Sequence, residues 1–402
     1  MKLKATWPLA IALATAWSGT MAQDVGLVSQ GDQVVEIVHQ RFYNAAQAAA
    51  WAETHAHYAR NMEDRAAFVQ KSRKILAELN ASHTGYYTPE DVEFYALRAI
   101  FQDALNIKDQ DVPIESIGVD SRPDGFVRRI FLGGPASQTD LQRGDRILLC
   151  DDRPFHPVQS LKGKDGLNLR LTVQKTPDGP LRIIEVRPRR IDPRQEWLTH
   201  QNAGTQIMAT PAGHHALYVP YYCGAGEKFT EALEATIQER QGSADLMILD
   251  ARGGWGGSPP DLIARFDQSV PTLELKLRGG ESKIQTAWRK PLIVLTDGGT
   301  RSGKEVFAAA VKASQRGKLV GQPTAGAVLA GSPFLLNDGA LLLLAVGDIL
   351  VDGQRIEGVG VLPNLLVPDP LPFSQGLDAI FNAALGETDA ILKAGSGGIP
   401  QP

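Results

Sequence analysis

Leu246-Met-Ile-Leu249 runs straight into Asp250-Ala-Arg-Gly-Gly-Trp-Gly-Gly257. Four apolar residues in a row, closed by a glycine cluster, predict a strand buried on both faces that ends in a tight turn. Glycines at the carboxyl end of such a strand let backbone N–H groups approach a ligand closely. A plain tight turn explains them as well. A phosphate loop does not, because no Gly-Lys-Ser/Thr follows and the dinucleotide spacing is absent.

The pattern repeats on both sides of this junction. Ala216 to Tyr221 reads as a strand and Lys228 to Gln241 as a helix. Downstream come a strand at Pro291 to Thr296, a helix at Gly303 to Ser314 and a strand at Lys318 to Val320. Strands alternating with helices predict an α/β layer with a largely parallel sheet. The stretch Leu335 to Val346 is broken by Asp338 and Gly339 and reads as strand and turn.

Two other regions have different periodicities. From Gln23 to about Asn106 the apolar residues recur at helical steps: Val34, Ile37, Val38 and Phe42; Phe68, Ile75, Leu76 and Leu79; Phe94, Leu97, Phe101 and Leu105. Between about Val112 and Arg190 short strands are separated by turn signals such as Pro123-Asp-Gly125 and Pro177-Asp-Gly179. Arg187 to Arg194, with two prolines and four arginines, reads as a hinge into the last domain.

The first 22 residues read as a secretory signal: Lys2 and Lys4, an apolar run from Trp7 to Trp17, and a cleavage site at Thr20-Met-Ala22. The run falls short of the ~20 apolar residues a membrane span needs. Without Lys2 and Lys4 the formal charge of −4 becomes −6, which argues against a nucleic-acid partner. Cys150 and Cys223, the only cysteines, either pair in an oxidising compartment or stay as buried thiols. His55-x-His57 and His214-His215 read as surface residues, since no further ligands accompany them.

Four segments could carry chemistry. Ser302, at the strand-to-helix turn Asp297-Gly-Gly-Thr-Arg-Ser-Gly-Lys-Glu305, would present its hydroxyl beside the free N–H groups of the first helical turn. Ser302-x-x-Glu305 is equally a capping box. His83, in Ser82-His-Thr-Gly85, could act as a general base, with an unperturbed pKa of ~6.5, or be a solvated loop histidine. The glycines of 253–257 are the third. Glu357, in Arg355-Ile-Glu-Gly-Val-Gly-Val-Leu-Pro363, could orient a histidine or be an exposed turn carboxylate.

In this order, the segments resemble the carboxyl-terminal processing (tail-specific) serine proteases. Val320-Gly-Gln-Pro-Thr-Ala-Gly326 and Gly358-Val-Gly-Val-Leu-Pro363 extend the resemblance. Ser116-Ile-Gly-Val119 and Gly134 to Leu148 are similar to a PDZ domain, which binds an extended chain end as an added strand. The resemblance implies a multidomain α/β protein: signal 1–22, helical region 23–111, PDZ-like β-rich domain 112–192, ClpP/crotonase-like α/β catalytic core 193–385 and loose tail 386–402.

One departure decides the branch. Many of these proteases use a Ser–Lys dyad, and Thr324-Ala-Gly-Ala327 puts alanine where the lysine would stand. The branch similar to the tricorn core protease uses serine, histidine and glutamate. It implies Ser302 as nucleophile, His83 as base, Glu357 as its orienter, Ser82 as a supporting hydroxyl, and N–H groups of Gly303 and of Gly256 or Gly257 as oxyanion hole. Ile117, Gly118 and Val119 would bind peptide. Lys304, two residues from Ser302 on one helix, does not face it, so Lys304→Ala is expected to keep activity.

The function implied is an exported, periplasmic or secreted serine endopeptidase acting on polypeptides, with no metal, no cofactor and no membrane span after signal cleavage. The alternative is a catalytically silent peptide-binding protein. An esterase fits poorly, since the Gly-x-Ser-x-Gly elbow is absent around Ser302.

Overall fold

A computed structural model describes residues 26–107 and 112–395. The signal expected at 1–22 lies outside them. The fold is mixed α/β, and the chain divides into two compact units.

One unit is Met1–Pro113 together with Leu329–Asp348. Helices Leu27–Arg41, Arg65–Ala77 and Val92–Ile100 carry the three predicted stripes, and a further helix, Ala45–His55, lies between the first two. Val34, Val38, Phe68 and Ile75 are fully buried in one cluster, each worth ~1.5–3 kcal/mol of apolar burial. The fourth helix ends earlier than its stripe suggests, because Phe101 leaves the helical conformation as its C-cap. Leu329–Asp348 joins this unit through strand pairing: Gly85–Tyr87 lies antiparallel to Leu341–Leu343, which in turn pairs with Ala330–Leu335.

The other unit is Ile114–Val328 with Ile349–Pro402. Its main sheet has six strands in the order Gln206–Ala209, His215–Pro220, Leu246–Asp250, Leu292–Thr296, Lys318–Gly321 and Leu365–Leu366. Only the first pair is antiparallel. Leu246–Asp250 and Leu292–Thr296 are buried at every position, which is why they read as unbroken apolar runs. Their carboxyl ends lie side by side at one edge of the sheet.

Residues 114–191 supply short antiparallel strands around a core of Ile117, Val127, Ile147, Leu171 and Val173. The strands Ile114–Ser116 and Val119–Ser121 are separated by Ile117 and Gly118, where Gly118 turns the chain at φ 77°. The expected hinge at 187–194 is not a linker. Arg189–Ile191 pairs with Ile114–Ser116, and a helix begins at Pro193 under the Asp192 cap. Nor is residue 386 the start of a loose tail, since Ala379–Gly395 is one helix. Leu385, Ile391 and Leu392 pack on the sheet and hold Gly386 inside it.

Cys150 and Cys223 are unpaired and buried. Burial pushes the Cys223 thiol up to about 12, so it stays neutral. No helix among the described residues is long and apolar enough to cross a membrane.

Helix Pro193–Gly204 carries Glu196 almost fully buried, and burial pushes its carboxyl up to about 7 against a bond to Ser116. Its folded pKa is thus above its unfolded one. The stability linked to this group is present below about pH 4.5 and is lost as pH rises through about 7. Glu196→Gln removes that dependence. We expect urea midpoints of the variant to gain on the native protein between pH 5 and pH 8, by on the order of 2–3 kcal/mol. An equal gap at the two pH values would contradict this.

Candidate active site

Ser302 stands between strand Leu292–Thr296 and helix Gly303–Ala313 with φ 56° and ψ −130°. A non-glycine residue there costs ~1–3 kcal/mol and persists only where its surroundings impose it. Two acceptors do so. The Ser302 N–H donates to the carbonyl of Ala327 at 2.8 Å and to the Glu305 carboxylate at 3.3 Å. The Glu305 N–H is taken by the Ser302 carbonyl at 2.8 Å, and Ser302 and Glu305 also form the capping box that their spacing predicts.

The glycine loop after Leu246–Asp250 packs directly on this turn. A Cβ on Gly256 would lie 2.4 Å from the Ser302 Cβ and 3.0 Å from its Oγ. A Cβ on Gly303 would strike the backbone of Ser258 at 2.5 Å. Only glycine permits this approach. Among the described residues, the N–H groups of Gly256, Gly257 and Gly303 have no acceptor. Unused N–H donors beside a strained serine are what a developing oxyanion requires.

Both strand ends are tied down. Asp297 accepts from the N–H groups of Gly253 (2.8 Å) and Gly299 (2.9 Å), and the Thr300 hydroxyl donates to the Ala251 carbonyl at 3.0 Å. Asp250, with no exposure, takes Arg252 at 2.8 Å, Arg129 at 3.3 Å and the Tyr218 hydroxyl at 2.7 Å. Burial alone would raise its pKa, but the two guanidiniums hold its carboxyl well below the usual range. Arg252 also reaches Asp378 at 2.7 Å. Asp250 and Arg252 are therefore buried anchors of the strand end.

Glu357 is nearly buried, not an exposed turn carboxylate, and accepts from the Val328 N–H at 2.8 Å. The chain around it is zipped to 324–328. Gly358 N–H donates to Gly326, and the Val361 N–H donates to the Thr324 hydroxyl, each at 2.8 Å. Ser302 and Glu357 thus hold consecutive residues, Ala327 and Val328, of one segment.

Ser82 and His83 belong to the other compact unit. There the Ser82 hydroxyl meets His83 Nδ1 at 3.0 Å, and His83 sits at φ 55°, another sparsely populated backbone. A Cβ at Gly331 would lie 3.0 Å from the His83 Cβ, and the Ala345 N–H donates to Thr84 Oγ1 at 3.3 Å. The strand pair Ala330–Gly347 therefore backs the histidine loop.

The three residues at 117–119 are engaged inside their own module. Ile117 is in its core, and the Gly118 N–H donates to Ser116 Oγ at 2.9 Å. Val119 pairs with Ile130. The histidine pairs need partial correction. His55 is buried and bonds Glu78 at 2.9 Å, because it lies on the inner face of its helix. His214 is partly buried and bonds Asp389 at 2.9 Å. His57 and His215 are exposed.

Glu305, expected only as a capping partner, and Lys304, expected only not to face Ser302, have partners the sequence did not disclose. Glu305 is fully buried and accepts from Thr324 Oγ1 (2.5 Å) and from the N–H groups of Gly326 (2.6 Å) and Ala327 (2.7 Å). Lys304 is also fully buried, and its ammonium donates to the carbonyls of Tyr222 and Gly253. The sequence cues were the capping-box spacing of Ser302 and Glu305 and charged residues that adjoin an apolar helix face.

Residues 218–367 match the sequence profile of peptidase family S41. They form a family S41 peptidase domain. The stretch contains the glycine loop, Ser302, Ala327 and Glu357, and does not reach Ser82 or His83. The chloroplastic carboxyl-terminal-processing peptidase 2 of Arabidopsis thaliana is 27% identical over 324 residues, 75% of this chain and 60% of that protein. A carboxyl-terminal-processing protease of Synechocystis is 27% identical over 251 residues, 60% of this chain and 58% of that one. The chain thus spans less than two thirds of the length of these two relatives. The solved tricorn protease shares the fold with a TM-score of 0.56 at 18% identity, over 92% of this chain and 37% of that one.

Proposed function

We propose that this S41 protein is an exported serine endopeptidase that cleaves polypeptides through an acyl-enzyme at Ser302. The observation that carries the reading is the strained Ser302 backbone beside three unused N–H groups, of Gly256, Gly257 and Gly303. His83 is the base, positioned by Ser82, and Glu357 orients it. His83 takes the Ser302 proton, the oxygen bonds to a peptide carbonyl carbon, and the charge on the carbonyl oxygen rests on the free N–H groups. His83 then gives the proton to the leaving amine as the C–N bond breaks, and water releases the acyl group by the reverse roles.

The layout that fits this activity is a signal at 1–22, a PDZ-like module at 112–192 that recognises or gates chain ends through Ile117, Gly118 and Val119, and a ClpP/crotonase-like core. Export places the enzyme in the periplasm or outside the cell, and neither metal nor cofactor enters the reaction.

Ala327, standing where the dyad lysine would be, favours one rival reading: a silent peptide-binding protein. A serine-directed phosphonate separates the two. We expect the native protein to be labelled, and His83→Ala and Glu357→Gln each to lose most of the labelling rate and of peptide turnover. A His83→Ala variant with native turnover would remove His83 from the mechanism. An unlabelled native protein that still binds tail peptides would make it the binding module.

A further inference from the structure

The side chain of Lys304 leaves the nucleophile's helix and is completely enclosed. Its ammonium donates to the Tyr222 carbonyl at 3.1 Å and to the Gly253 carbonyl, and lies 6.0 Å from the centre of the Tyr222 ring. The Gly253 carbonyl belongs to the glycine loop that packs on Ser302, and the Tyr222 carbonyl to the segment packed on that loop, where Cβ atoms on Gly254 and Gly257 would strike Tyr222 and Ala225. The Tyr222 carbonyl also takes the Trp255 N–H at 2.9 Å, and the Gly256 carbonyl takes the Gly224 N–H at 3.0 Å. One cation therefore joins the start of the nucleophile helix to both chains that present Gly256 and Gly257.

A buried ammonium needs a reason to be there, because desolvation opposes it and an apolar side chain would fill the space at less cost. Held by two carbonyls and an aromatic face, it fixes the distance between the helix start and the glycine loop as no apolar contact could. Gly256 already touches Ser302, so a small slip of that loop moves its N–H off the oxyanion position. Misplacement by about 1 Å can cost about 10²-fold in rate.

We infer that Lys304, as its ammonium, is a positioning residue that holds the Gly253–Gly257 loop in register with Ser302, so that the free glycine N–H groups meet the oxyanion. The inference rests on Ser302 being the nucleophile. It predicts the opposite of the expectation that Lys304→Ala would keep activity. That expectation considered only the two-residue spacing on one helix and not the carbonyls that the long side chain reaches.

The charge state gives the inference a readout that a merely structural lysine lacks. Burial lowers the Lys304 pKa to about 8, against the pull of Asp297, Cys223 and Asp250 and with the push of Arg129. The neutral amine keeps weaker donors, so turnover should fall as pH rises through about 8.

The test uses the full chain as native protein, Lys304→Met and Cys223→Ala. We expect Lys304→Met to stay folded, to change KM less than about threefold, to lose about tenfold or more in kcat and phosphonate labelling, and to lose the alkaline limb near pH 8. Cys223→Ala should keep that limb, since it removes the neighbouring thiol and leaves the ammonium. If Lys304→Met does not fold, the limb in Cys223→Ala decides alone. Native kcat in Lys304→Met, or a flat kcat between pH 7 and pH 9.5 in both the native protein and Cys223→Ala, overturns the inference. Native protein that shows no Ser302-dependent labelling sinks the reading of the site, and this inference with it. Labelled native protein with an equally fast Lys304→Met sinks the inference alone.

Discussion

Ser302→Ala is expected to abolish phosphonate labelling and to lower peptide turnover by about 10⁴–10⁶, the range found when a catalytic serine is removed. The reason lies in what the substitution leaves untouched. The bonds to the Ala327 carbonyl and the Glu305 carboxylate start from the Ser302 backbone N–H, and the glycine wall needs only that Cβ stay in place. Alanine keeps all of these and removes one oxygen. Stability should change little, since the Glu305 N–H has the Ser302 carbonyl as its acceptor. A rise of a few tenths of a kcal/mol is as admissible as a fall, and urea melts of both proteins measure it. The free N–H groups of Gly256, Gly257 and Gly303 would remain and could still bind a chain end. The variant therefore serves as a trap: peptides that co-purify with it report the substrates. Turnover that survives in Ser302→Ala, with the same cleavage sites, would move the nucleophile elsewhere.

The strands and helices around Ser302 were legible because their signals are local. Leu246–Asp250 and Leu292–Thr296 are buried at every position and apolar in all but their last, since both faces are covered, and Gly303–Ala313 has an amphipathic pattern. The glycine loop was legible for a different reason: the positions that need glycine are those where backbone nearly touches backbone, as Gly303 does Ser258. What could not be read is pairing over long sequence distances. Nothing local at 329–348 says that this hairpin completes the unit of Gly85–Tyr87, some 250 residues earlier. Lys304 illustrates the same limit at a single side chain. Its position in the helix was correct, but its two acceptors lie 82 and 51 residues away. The buried Asp250–Arg252–Asp378 set likewise appeared in the sequence only as part of a motif, with no sign that its task is to anchor a strand end.

Glu305 is where the sequence reading stopped one step short, and its removal should have the second largest effect. Read as a capping partner, it would be worth about 1 kcal/mol. In the structure the cap is the least of its bonds. One buried carboxylate accepts from Thr324 Oγ1, Gly326 N, Ala327 N and Ser302 N, so a single side chain fixes both the turn that strains Ser302 and the segment that supplies its acceptor, Ala327. Glu305→Ala would leave the N–H groups of Gly326 and Ala327 and the Thr324 hydroxyl without their buried acceptor, while the Ser302 N–H keeps only the Ala327 carbonyl. Each buried orphan costs about 1–3 kcal/mol, and loss of one member of a buried charged set costs about 3–5 kcal/mol. We expect a loss of stability in that range and a fall in kcat of at least about 10²-fold, because Ser302 relaxes toward an ordinary backbone once Ala327 is released. Glu305→Gln distinguishes charge from shape. Its amide oxygen can accept from one side of the cluster, but its NH₂ would face donors on the other, so it should recover part of the stability and little of the rate. Urea midpoints together with labelling kinetics read the two separately. A Glu305→Gln protein with native kcat would show that the carboxylate does not hold the turn, and that the strain at Ser302 is imposed by the glycine wall alone.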